Sequence, residues 1–516
     1  MPTKTRVERR PGRGRCLIAA ENLDLGDVIM KVQPLSAVLE EDQARTRCAN
    51  CFKHVNGQGS NGGGSRCSGC KSIWYCSRAC QKADWREHRT ECKAWTSQHT
   101  TARTPTRTLR LAGRILHSMN RGDASSTQVR EAVDELVHHN EQRLPEQKEQ
   151  FRLMAAFVAR LCVVGCGEDK EKSALRWPSA RDRGLAGLID AAYAVLGKVS
   201  CNVFSISNES CSGEVGCGLY LEAAAANHSC IPNASQSFQG KTLSLRCTRP
   251  ILEGEEITIG IAEIQRPGAL RRESLRASYF FECRCERCES RGGRAEDARL
   301  EAYACPDKKC PGLCSAPKNH SRSSRGSSSS SRQESWPRSA RLEDGSTKEG
   351  KSFASGGGSG DHFREGYEDG ELNLGARHTP VSEVLVGAEA QGEDPGRFKC
   401  GTCGNASRPV DEAERQLEAI QELLDRGKAL EGVGQASSAR QCLDQALGRA
   451  IGVLHRGNWM VYEIYRLLAS VCVELQDFEA AATYASDGMD AFRACLSDLS
   501  PYFSPWGVNL AFTGKV

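Results

Sequence analysis

The sequence lacks the features that place a chain in or across a membrane. It has no run of about 18 apolar residues, the length that a membrane-spanning helix needs. The N-terminus, Met1 to Arg15, is basic and has no apolar stretch of the kind that a secretory signal carries. We therefore expect no membrane association, and a location in the nucleus, the cytoplasm or both.

An excess of charge of one sign is missing too. Charged residues make up 26% of the 516-residue chain, yet the formal net charge is only +4. Nucleic-acid binding usually comes with a strong basic stripe, and none stands out here. Direct DNA binding is therefore not expected, and we expect a monomer whose partners are proteins or peptides.

One long segment has few aliphatic residues. Residues 317–396 are rich in serine and glycine, so they can bury too little apolar surface to offset the entropy of an ordered chain. We predict that this segment is disordered.

The remaining chain divides into strand-like and helix-like regions. Alternating apolar and polar residues predict two short strands over 16–40, with a turn at Gly26–Asp27, and further strands within 200–262. Apolar residues at helical spacing predict helices over 105–198 and 411–497. Alanine pairs recur in the last region, which resembles stacked helical hairpins of the tetratricopeptide (TPR) type.

Cysteine, in contrast, is abundant. The chain has 26 cysteines, and in a reducing compartment they are not expected to form disulfides. Many occur in close pairs, which indicate metal ligands in an intracellular chain. Isolated cysteines such as Cys16 and Cys472 are interpreted as small core residues.

The densest cysteine block spans residues 48–92. Pairs separated by two or three residues let both side chains reach one ion, and structural zinc takes four sulfur or imidazole ligands. Seven cysteines and one histidine are enough for two zinc ions, which would supply much of the folding energy of so small a block. The candidate ligands are Cys48, Cys51, Cys67, Cys70, Cys76, Cys80, His88 and Cys92.

The same spacing resembles a MYND finger. Residues 74–81 (WYCSRACQ), followed by Trp85 and His88, are close to that family's pattern. The resemblance implies that the first, second, fifth and sixth ligands hold one ion and that the other four hold the second. The glycine-rich stretch 56–65 is longer than usual, and we interpret it as a flexible loop. MYND fingers bind protein partners, so proline-containing peptides are implied here.

Motifs on both sides of the finger resemble a SET domain. GRGR begins at Gly12, NHSCIPN at Asn227, GEEIT at Gly254 and YFFECRCERC at Tyr279. In this order, with a MYND finger inserted, they resemble the SMYD family of protein-lysine methyltransferases.

The resemblance implies an α+β fold, in which a β-rich SET domain is interrupted by a MYND zinc finger and a helical insert. A post-SET zinc site and an all-α TPR-like C-terminal region follow. Because the chain ends soon after Trp506, we expect the last helix of the family to be missing. The predicted segments are the N-terminal part of the SET domain (1–47), the MYND finger (48–92), the helical insert (93–199), the SET core (200–282), the post-SET cysteine-rich region (283–316), the disordered insert (317–396), the second half of a candidate zinc ribbon (397–410) and the TPR-like region (411–516).

The resemblance also assigns roles to single residues. Methyl transfer from S-adenosyl-L-methionine to a lysine requires positioning and exclusion of water. The residues implied for cofactor binding are Arg13, Gly14, Asn140, Asn202, Asn227, His228 and Phe281. Phe204 and Tyr279 are the candidate catalytic residues, as walls of an aromatic channel that suits a cationic lysine. Read alone, the asparagines could be turn residues, the phenylalanines core side chains and Arg13 a solvated charge.

One position departs from the SMYD pattern. The strand after Gly-Glu-Glu ends in a tyrosine there, whose hydroxyl orients the lysine amine, and this chain has Ile261. Isoleucine cannot donate a hydrogen bond, and loss of one positioned donor costs other enzymes about 10²–10³ in rate. We expect cofactor binding to be preserved better than turnover, with Tyr279 partly compensating.

Two further cysteine groups follow the finger. In the first, Cys283, Cys285 and Cys288 supply three ligands, and the resemblance implies Cys230 as the fourth. The second group resembles a zinc-ribbon extension, with Cys314 as an alternative ligand. Its candidate ligands are Cys305, Cys310, Cys400 and Cys403. Because loop closure costs grow slowly with length, the long separation between its pairs is tolerable. The sequence thus predicts three zinc ions and a candidate fourth.

Two functions are compatible with these observations. The first is an S-adenosylmethionine-dependent protein-lysine N-methyltransferase, which acts on an exposed lysine of a histone or another protein and is slowed by Ile261. The second is a non-catalytic scaffold that binds peptides through the finger and through the concave surface of helical repeats. Cofactor binding, followed by methyl transfer with Ile261→Tyr, distinguishes the two.

Overall fold

The computed structural model describes residues 4–55, 64–97, 105–121, 123–166, 184–208, 214–315, 397–404 and 407–496. The segment predicted to be disordered, 317–396, and most of the glycine-rich stretch 56–65 lie outside these ranges. Within them, no helix is both long and apolar enough to cross a membrane.

Short strands and longer helices alternate along the described residues. The strands are β1 (Thr5–Arg10), β2 (Gly14–Ala19), β3 (Val28–Val32), β4 (Ser36–Leu39), β5 (Ser65–Arg66), β6 (Trp74–Tyr75), β7 (Val203–Ser207), β8 (Glu214–Leu219), β9 (Asn227–His228), β10 (Ala234–Gln239), β11 (Thr242–Cys247), β12 (Glu256–Ile259), β13 (Tyr303–Ala304), β14 (Leu313–Ser315), β15 (Arg397–Cys400) and β16 (Ser407–Pro409). The helices are α1 (Arg78–Ser97), α2 (Arg107–Met119), α3 (Ala124–Asp134), α4 (Pro145–Cys166), α5 (Gly184–Asn202), α6 (Gly268–Tyr279), α7 (Glu286–Glu289), α8 (Arg291–Leu300), α9 (Val410–Gly432), α10 (Ala436–Ala450), α11 (Trp459–Glu474) and α12 (Phe478–Cys495).

One sheet joins the N-terminus to the middle of the chain. Its strand order is β1-β2-β12-β9. β1 and β2 form an antiparallel hairpin, β12 runs antiparallel to β2, and β9 runs parallel to β12 with Ile259 opposite His228. The glycine-containing hairpin turn and the NHSC and GEEIT motifs therefore lie at one sheet, although they are distant in sequence.

The prediction of two strands over residues 16–40 is wrong in number. Three strands, β2, β3 and β4, occupy this range, and each lies in a different sheet, because the other two sheets have the orders β10-β11-β3 and β4-β8-β7. Gly26 has a φ of 85°, which fits the predicted turn. Alternation marks a strand but not its partner, so the sequence did not show that β2 and β3 separate.

The helix predictions are confirmed in the described residues. α2 to α5 cover the predicted insert, with a short 3₁₀ helix (Asn140–Gln142) between α3 and α4, and α9 to α12 form two helical hairpins in the C-terminal region. The finger helix α1 packs against α2 and α4.

The C-terminal helices share their core with the small sheet β13-β14-β15-β16. Tyr303 and Phe398 from this sheet stack with ring centroids 4.5 Å apart, and they belong to the same buried cluster as Leu424 and Trp459 of the helices. The guanidinium of Arg266 lies 5.1 Å from the Trp459 ring and so joins this unit to the segment before α6.

Candidate metal centres and cofactor site

Among the described residues, four clusters of thiol and imidazole groups are brought together. Within each cluster, the four ligand atoms lie within 4.8 Å of one another. The first and second clusters belong to the finger and have the interleaved grouping predicted from the resemblance. The clusters are, in order, Cys48, Cys51, Cys76 and Cys80; Cys67, Cys70, His88 and Cys92; Cys230, Cys283, Cys285 and Cys288; and Cys305, Cys310, Cys400 and Cys403.

The spacing of the sulfur atoms fits zinc. Bonds of about 2.3 Å at tetrahedral angles would place neighbouring sulfurs about 3.8 Å apart, far beyond a disulfide bond. One sulfur pair from each cluster illustrates the match: Cys51 and Cys76 at 3.7 Å, Cys67 and Cys92 at 3.7 Å, Cys230 and Cys288 at 3.6 Å, and Cys305 and Cys403 at 3.8 Å. Thiolate donors at these distances suit closed structural zinc sites.

The second cluster is anchored by a buried histidine. Nε2 of His88 lies 3.4 Å from the Cys70 sulfur, and Nδ1 lies 3.3 Å from Oε2 of Glu91. The geometry assigns Nε2 to the metal and lets Nδ1–H donate to the carboxylate, which fixes the orientation of the ring.

Glu91 in turn belongs to a buried charge network between α1 and α2. Arg114, which is 2% exposed, donates to Glu91 over 2.7 Å and to Asp84 over 3.1 Å. Burial alone would raise the pKa of Glu91, but Arg114 and Arg110 outweigh it and hold that pKa well below its usual range. The hydroxyl of Tyr75 donates to the other oxygen of Asp84 over 2.7 Å. The finger and the insert are thus joined by paired charges.

A small cavity of about 20 Å³ lies beside this network. Trp95, Arg114 and His117 line it, and it is large enough for about one water molecule. None of the residues predicted to bind the cofactor lines it.

The third cluster connects the segment after β9 to the segment after α6. Cys230 is fully buried, and the other three ligands follow the end of α6. Two buried arginines surround it: Arg271 pairs with Asp297 over 2.8 Å, and Arg287 donates to the carbonyl of Cys230 over 3.3 Å.

The fourth cluster closes the small C-terminal sheet. Its first two ligands lie between β13 and β14, and its last two lie at and after the end of β15. Cys314, weighed as an alternative ligand, is buried directly across from Cys400 in the β14–β15 pairing but lies outside the group of four. The structure therefore favours the four predicted cysteines.

Asn227 connects the glycine turn to the NHSC segment through hydrogen bonds. Its Nδ2 donates to the carbonyls of Arg13 and Arg15 over 3.3 and 3.0 Å, and to Oε1 of Glu256 over 2.9 Å. Arg13 forms an ion pair of 2.9 Å with the same carboxylate. Gly14 has a φ of 70°, a conformation that a residue with a side chain rarely adopts. Sequence reasoning missed Glu256, which the acidic pair of the GEEIT motif could have indicated.

The end of α6 carries three consecutive aromatic residues. Tyr279 is the last residue of the helix, and burial raises the pKa of its hydroxyl. Phe280 has a left-handed φ of 60°, which turns the chain so that the Phe281 ring lies 6.1 Å from the His228 ring. The Phe280 ring lies 5.7 Å from His139 of the insert. Neither Phe280 nor His139 was singled out from the sequence.

Asn140 and Asn202 are engaged in packing between the insert and α5. Asn140 is buried and donates to the carbonyl of Tyr193 over 3.1 Å, and it fits so closely against Gly197 that a side chain there would collide with it. Asn202 donates to the carbonyl of Val137 over 2.9 Å. These amides are held by backbone carbonyls, and a role in cofactor binding stays a prediction for both.

Ile261 lies between two groups of predicted site residues. It packs against the core cluster to which Phe204 contributes and also against the cluster that includes Tyr279 and Phe281. Phe204 makes an edge-to-face contact with Tyr220, with ring centroids 5.7 Å apart. The residue that departs from the SMYD pattern therefore packs against both clusters.

Comparison with known proteins agrees with these observations. The MYND finger family matches residues 48–92. Histone-lysine N-methyltransferase ASHR1 of Arabidopsis thaliana is 32% identical over 319 residues, which are 60% of this chain and 60% of that protein. Human histone-lysine N-methyltransferase SMYD3 is 30% identical over 57% of this chain and 64% of its own length, and human N-lysine methyltransferase SMYD2 is 27% identical over 58% and 63%.

The chain thus spans about three-fifths of the length of these relatives. A solved SET domain, that of LSMT bound to lysine and AdoHcy, covers 58% of this chain and 59% of its own at 12% identity, with a TM-score of 0.24 that is too low to support an argument.

The fold and the clusters define a MYND zinc-finger protein in which the finger lies between two parts of an α+β domain. These relatives, together with the order of the motifs, show that this chain is similar to the SMYD family.

Proposed function

We propose that this protein is an S-adenosylmethionine-dependent protein-lysine N-methyltransferase that acts on histones or other proteins. The observation that carries the proposal is the set of hydrogen bonds from Asn227, which brings the glycine turn, the NHSC segment and β12 to one place. These are the segments to which the resemblance assigns cofactor binding. The names of the relatives, histone-lysine and N-lysine methyltransferases, support the same activity here.

The residues present fit the cofactor in kind. Arg13, Gly14, Asn227 and the main chain of His228 would hold its polar groups, and Phe281 would stack on its adenine. When bound, S-adenosylmethionine supplies a methyl group on a sulfonium. The protein positions the two reactants and excludes water, which suits a reaction between a neutral amine and a cation. Because burial raises the pKa of Tyr279, its hydroxyl stays protonated at neutral pH and can hydrogen-bond the lysine amine.

Ile261 is proposed to slow turnover more than it weakens cofactor binding. Its side chain packs among apolar groups and offers no polar atom to the amine. By analogy with the loss of one positioned donor elsewhere, we expect a rate about 10²–10³ lower than with tyrosine at this position.

Calorimetry with S-adenosylmethionine, followed by methyl transfer to histones, tests both parts. We expect wild-type protein to bind the cofactor, and Ile261→Tyr to raise the rate without changing the affinity much. Ile261→Phe is the matched control, because it adds the ring without the hydroxyl and should not raise the rate. Absence of cofactor binding in the zinc-loaded protein would refute the enzyme. Equal rates for the Tyr and Phe variants would refute the role of Ile261 alone.

A second function, peptide binding as a scaffold, is favoured by one surface feature. Trp85 of the finger helix is 42% exposed, and tryptophan is among the aromatic residues enriched at protein interfaces. We propose that the finger binds proline-containing peptides there. Titration with such peptides should show binding that Trp85→Ala weakens. Unchanged affinity in the variant would exclude this surface.

We also propose that the protein is a monomer in the nucleus or the cytoplasm. The absence of a strong charge imbalance supports a chain that needs no nucleic-acid partner. Light scattering on the purified protein and imaging of a fluorescent fusion test these two statements.

A further inference from the structure

The sulfur of Cys230 is contacted by two polar groups that are not metal ligands. Nε2 of His228 lies 3.3 Å from it, and Nε of Arg271 donates to it over 3.2 Å. All three residues are buried, with exposures of 0% for Cys230, 6% for His228 and 1% for Arg271. Such a sulfur is shielded from water, so its remaining hydrogen bonds must come from the protein.

The second nitrogen of the His228 ring fixes which way these bonds run. The backbone N–H of Ile261 donates to Nδ1 of His228 over 3.0 Å. A ring nitrogen that accepts a hydrogen bond carries no proton, so in the neutral imidazole the proton is on Nε2. Nε2–H therefore points at the Cys230 sulfur and donates to it.

The sheet brings these groups into line. β9 and β12 are parallel, with His228 opposite Ile259, and the N–H of Ser229 donates to the carbonyl of Ile259 over 3.0 Å. Ile261 lies two residues beyond that pair, where the ladder has ended, and its N–H turns to the imidazole instead of to a strand. The imidazole ring thus accepts the hydrogen bond that a carbonyl of a neighbouring strand would otherwise accept at the end of β12.

We propose that His228 is a positioning residue that couples the third metal cluster to the backbone at Ile261. The chain of contacts runs from the amide of Ile261 through the imidazole to the Cys230 thiolate, while Arg271 offsets the negative charge of that thiolate. The proposal rests on the proposed function only in its consequence, since residue 261 is where the SMYD pattern has its tyrosine. In that setting, the metal would determine where residue 261 lies relative to the substrate amine.

Two variants of His228 separate its two hydrogen bonds. The amide of Asn can replace the acceptor at Nδ1 but does not reach Cys230, whereas the longer Gln can reach Cys230 but leaves the Ile261 amide without its acceptor. We expect Cys230, Cys283, Cys285 and Cys288 to be alkylated about 10- to 100-fold faster in His228→Asn under a zinc chelator, because outer partners of metal ligands contribute that much to affinity. In His228→Gln the rate should stay near that of the wild type.

Peptide mass spectrometry measures these rates one cysteine at a time. The finger cysteines serve as internal controls for folding and should react alike in all three proteins. Wild-type protection of the third cluster in His228→Asn would overturn the proposal.

Exchange of the Ile261 amide hydrogen with solvent measures the other hydrogen bond of His228, the one that Nδ1 accepts. We expect it to be slow in the wild type and in His228→Asn, and at least about tenfold faster in His228→Gln, as for an amide that has lost its acceptor. Cys285→Ser, which removes a ligand without touching His228, should also speed this exchange. Unchanged exchange in Cys285→Ser would show that the cluster and residue 261 are not coupled.

The wild-type protein gives a test that requires no variant. The ¹⁵N shifts of the His228 ring should show a protonated Nε2 and a bare Nδ1, and the reverse pattern would contradict the assignment. None of these measurements needs S-adenosylmethionine or turnover. If the protein has no methyltransferase activity, these measurements still test the role of His228. If they contradict the role of His228, the proposed activity is not affected.

Discussion

The second cluster, in the finger, and the third cluster, beside the candidate site, use a histidine in opposite ways. In the finger His88 is a ligand, and the carboxylate of Glu91 outside it accepts its remaining N–H. In the third cluster the ligand is a thiolate, and His228 lies outside and donates to it. One Zn²⁺ held by four thiolates would leave the third cluster with a net charge of −2, which suits the cationic Arg271 as its neighbour. The outer group is thus an acceptor where the ligand has an N–H to donate, and a donor where the ligand is a thiolate.

Removal of one ligand from each cluster gives the largest expected difference. Cys92→Ala should cost one zinc and unfold the finger, because structural zinc contributes about 10–16 kcal/mol to small metal-folded units. Cys283→Ala should also cost one zinc, but the finger should stay folded and the disturbance should remain around α6. Zinc content and hydrogen exchange by mass spectrometry report both. Loss of finger protection in Cys283→Ala would show that the two regions are not separate.

The two buried arginines come next. Arg114→Met leaves Asp84 and Glu91 without their main cation in a dry interface, and we expect the free energy of unfolding to fall by about 3–5 kcal/mol. Arg271→Met should cost less, about 1–3 kcal/mol, because Asp297 is partly exposed and keeps Arg287 as a partner. Denaturant titration measures both. Arg86→Met, which removes an exposed ion pair, is the control, with an expected cost below about 1 kcal/mol.

Glu91→Gln tests the outer contact of the finger histidine. The amide is the same size but is a weaker acceptor for the His88 N–H, and it leaves Arg114 less well paired. We expect the affinity of the second cluster for zinc to fall about 10- to 100-fold, as for other outer partners of ligating histidines. Competition with a chromophoric chelator measures it. An unchanged zinc affinity of the second cluster would mean that Glu91 pairs with Arg114 but does not contribute to metal binding.

Tyr75→Phe is the mildest change. Burial, reinforced by Asp84, raises the pKa of Tyr75, so the hydroxyl stays protonated and donates to Asp84. Removal of one hydrogen bond to a charged group costs about 1.5–3 kcal/mol, and here Arg114 still pairs with Asp84, so we expect the lower end of that range. Denaturation monitored at the finger should shift, while alkylation of the third cluster should not. A shift in both would indicate coupling across the insert.

The sequence predicted what depends on local spacing. The ligand pairs of the finger lie a few residues apart, so their chemistry is visible in the chain. Cys230 lies 53 residues before Cys283, and its place in the third cluster was implied only by the resemblance. The helices and the strands β11 and β12 were predicted for the same reason of local pattern.

What the sequence did not show depends on contacts between distant segments. Arg114 reads as an ordinary charge on an amphipathic helix, and only the fold buries it against Asp84 and Glu91. In the same way, His228 was singled out as a cofactor residue because of its motif. Its contact with the Ile261 amide depends on the parallel pairing of β9 and β12, which spacing cannot predict.

The small C-terminal sheet has a consequence for how this protein can vary between species. Cys314 and Cys400 are cross-strand neighbours, and the fourth cluster ties Cys310 to Cys400, although about 90 positions separate them along the chain. Because both ends of the intervening stretch are held by the sheet and the cluster, its length can vary without disturbing either of them. Each doubling costs only about 0.6 kcal/mol in loop closure. Natural insertions and deletions should therefore collect between β14 and β15, while the residues on either side keep their register.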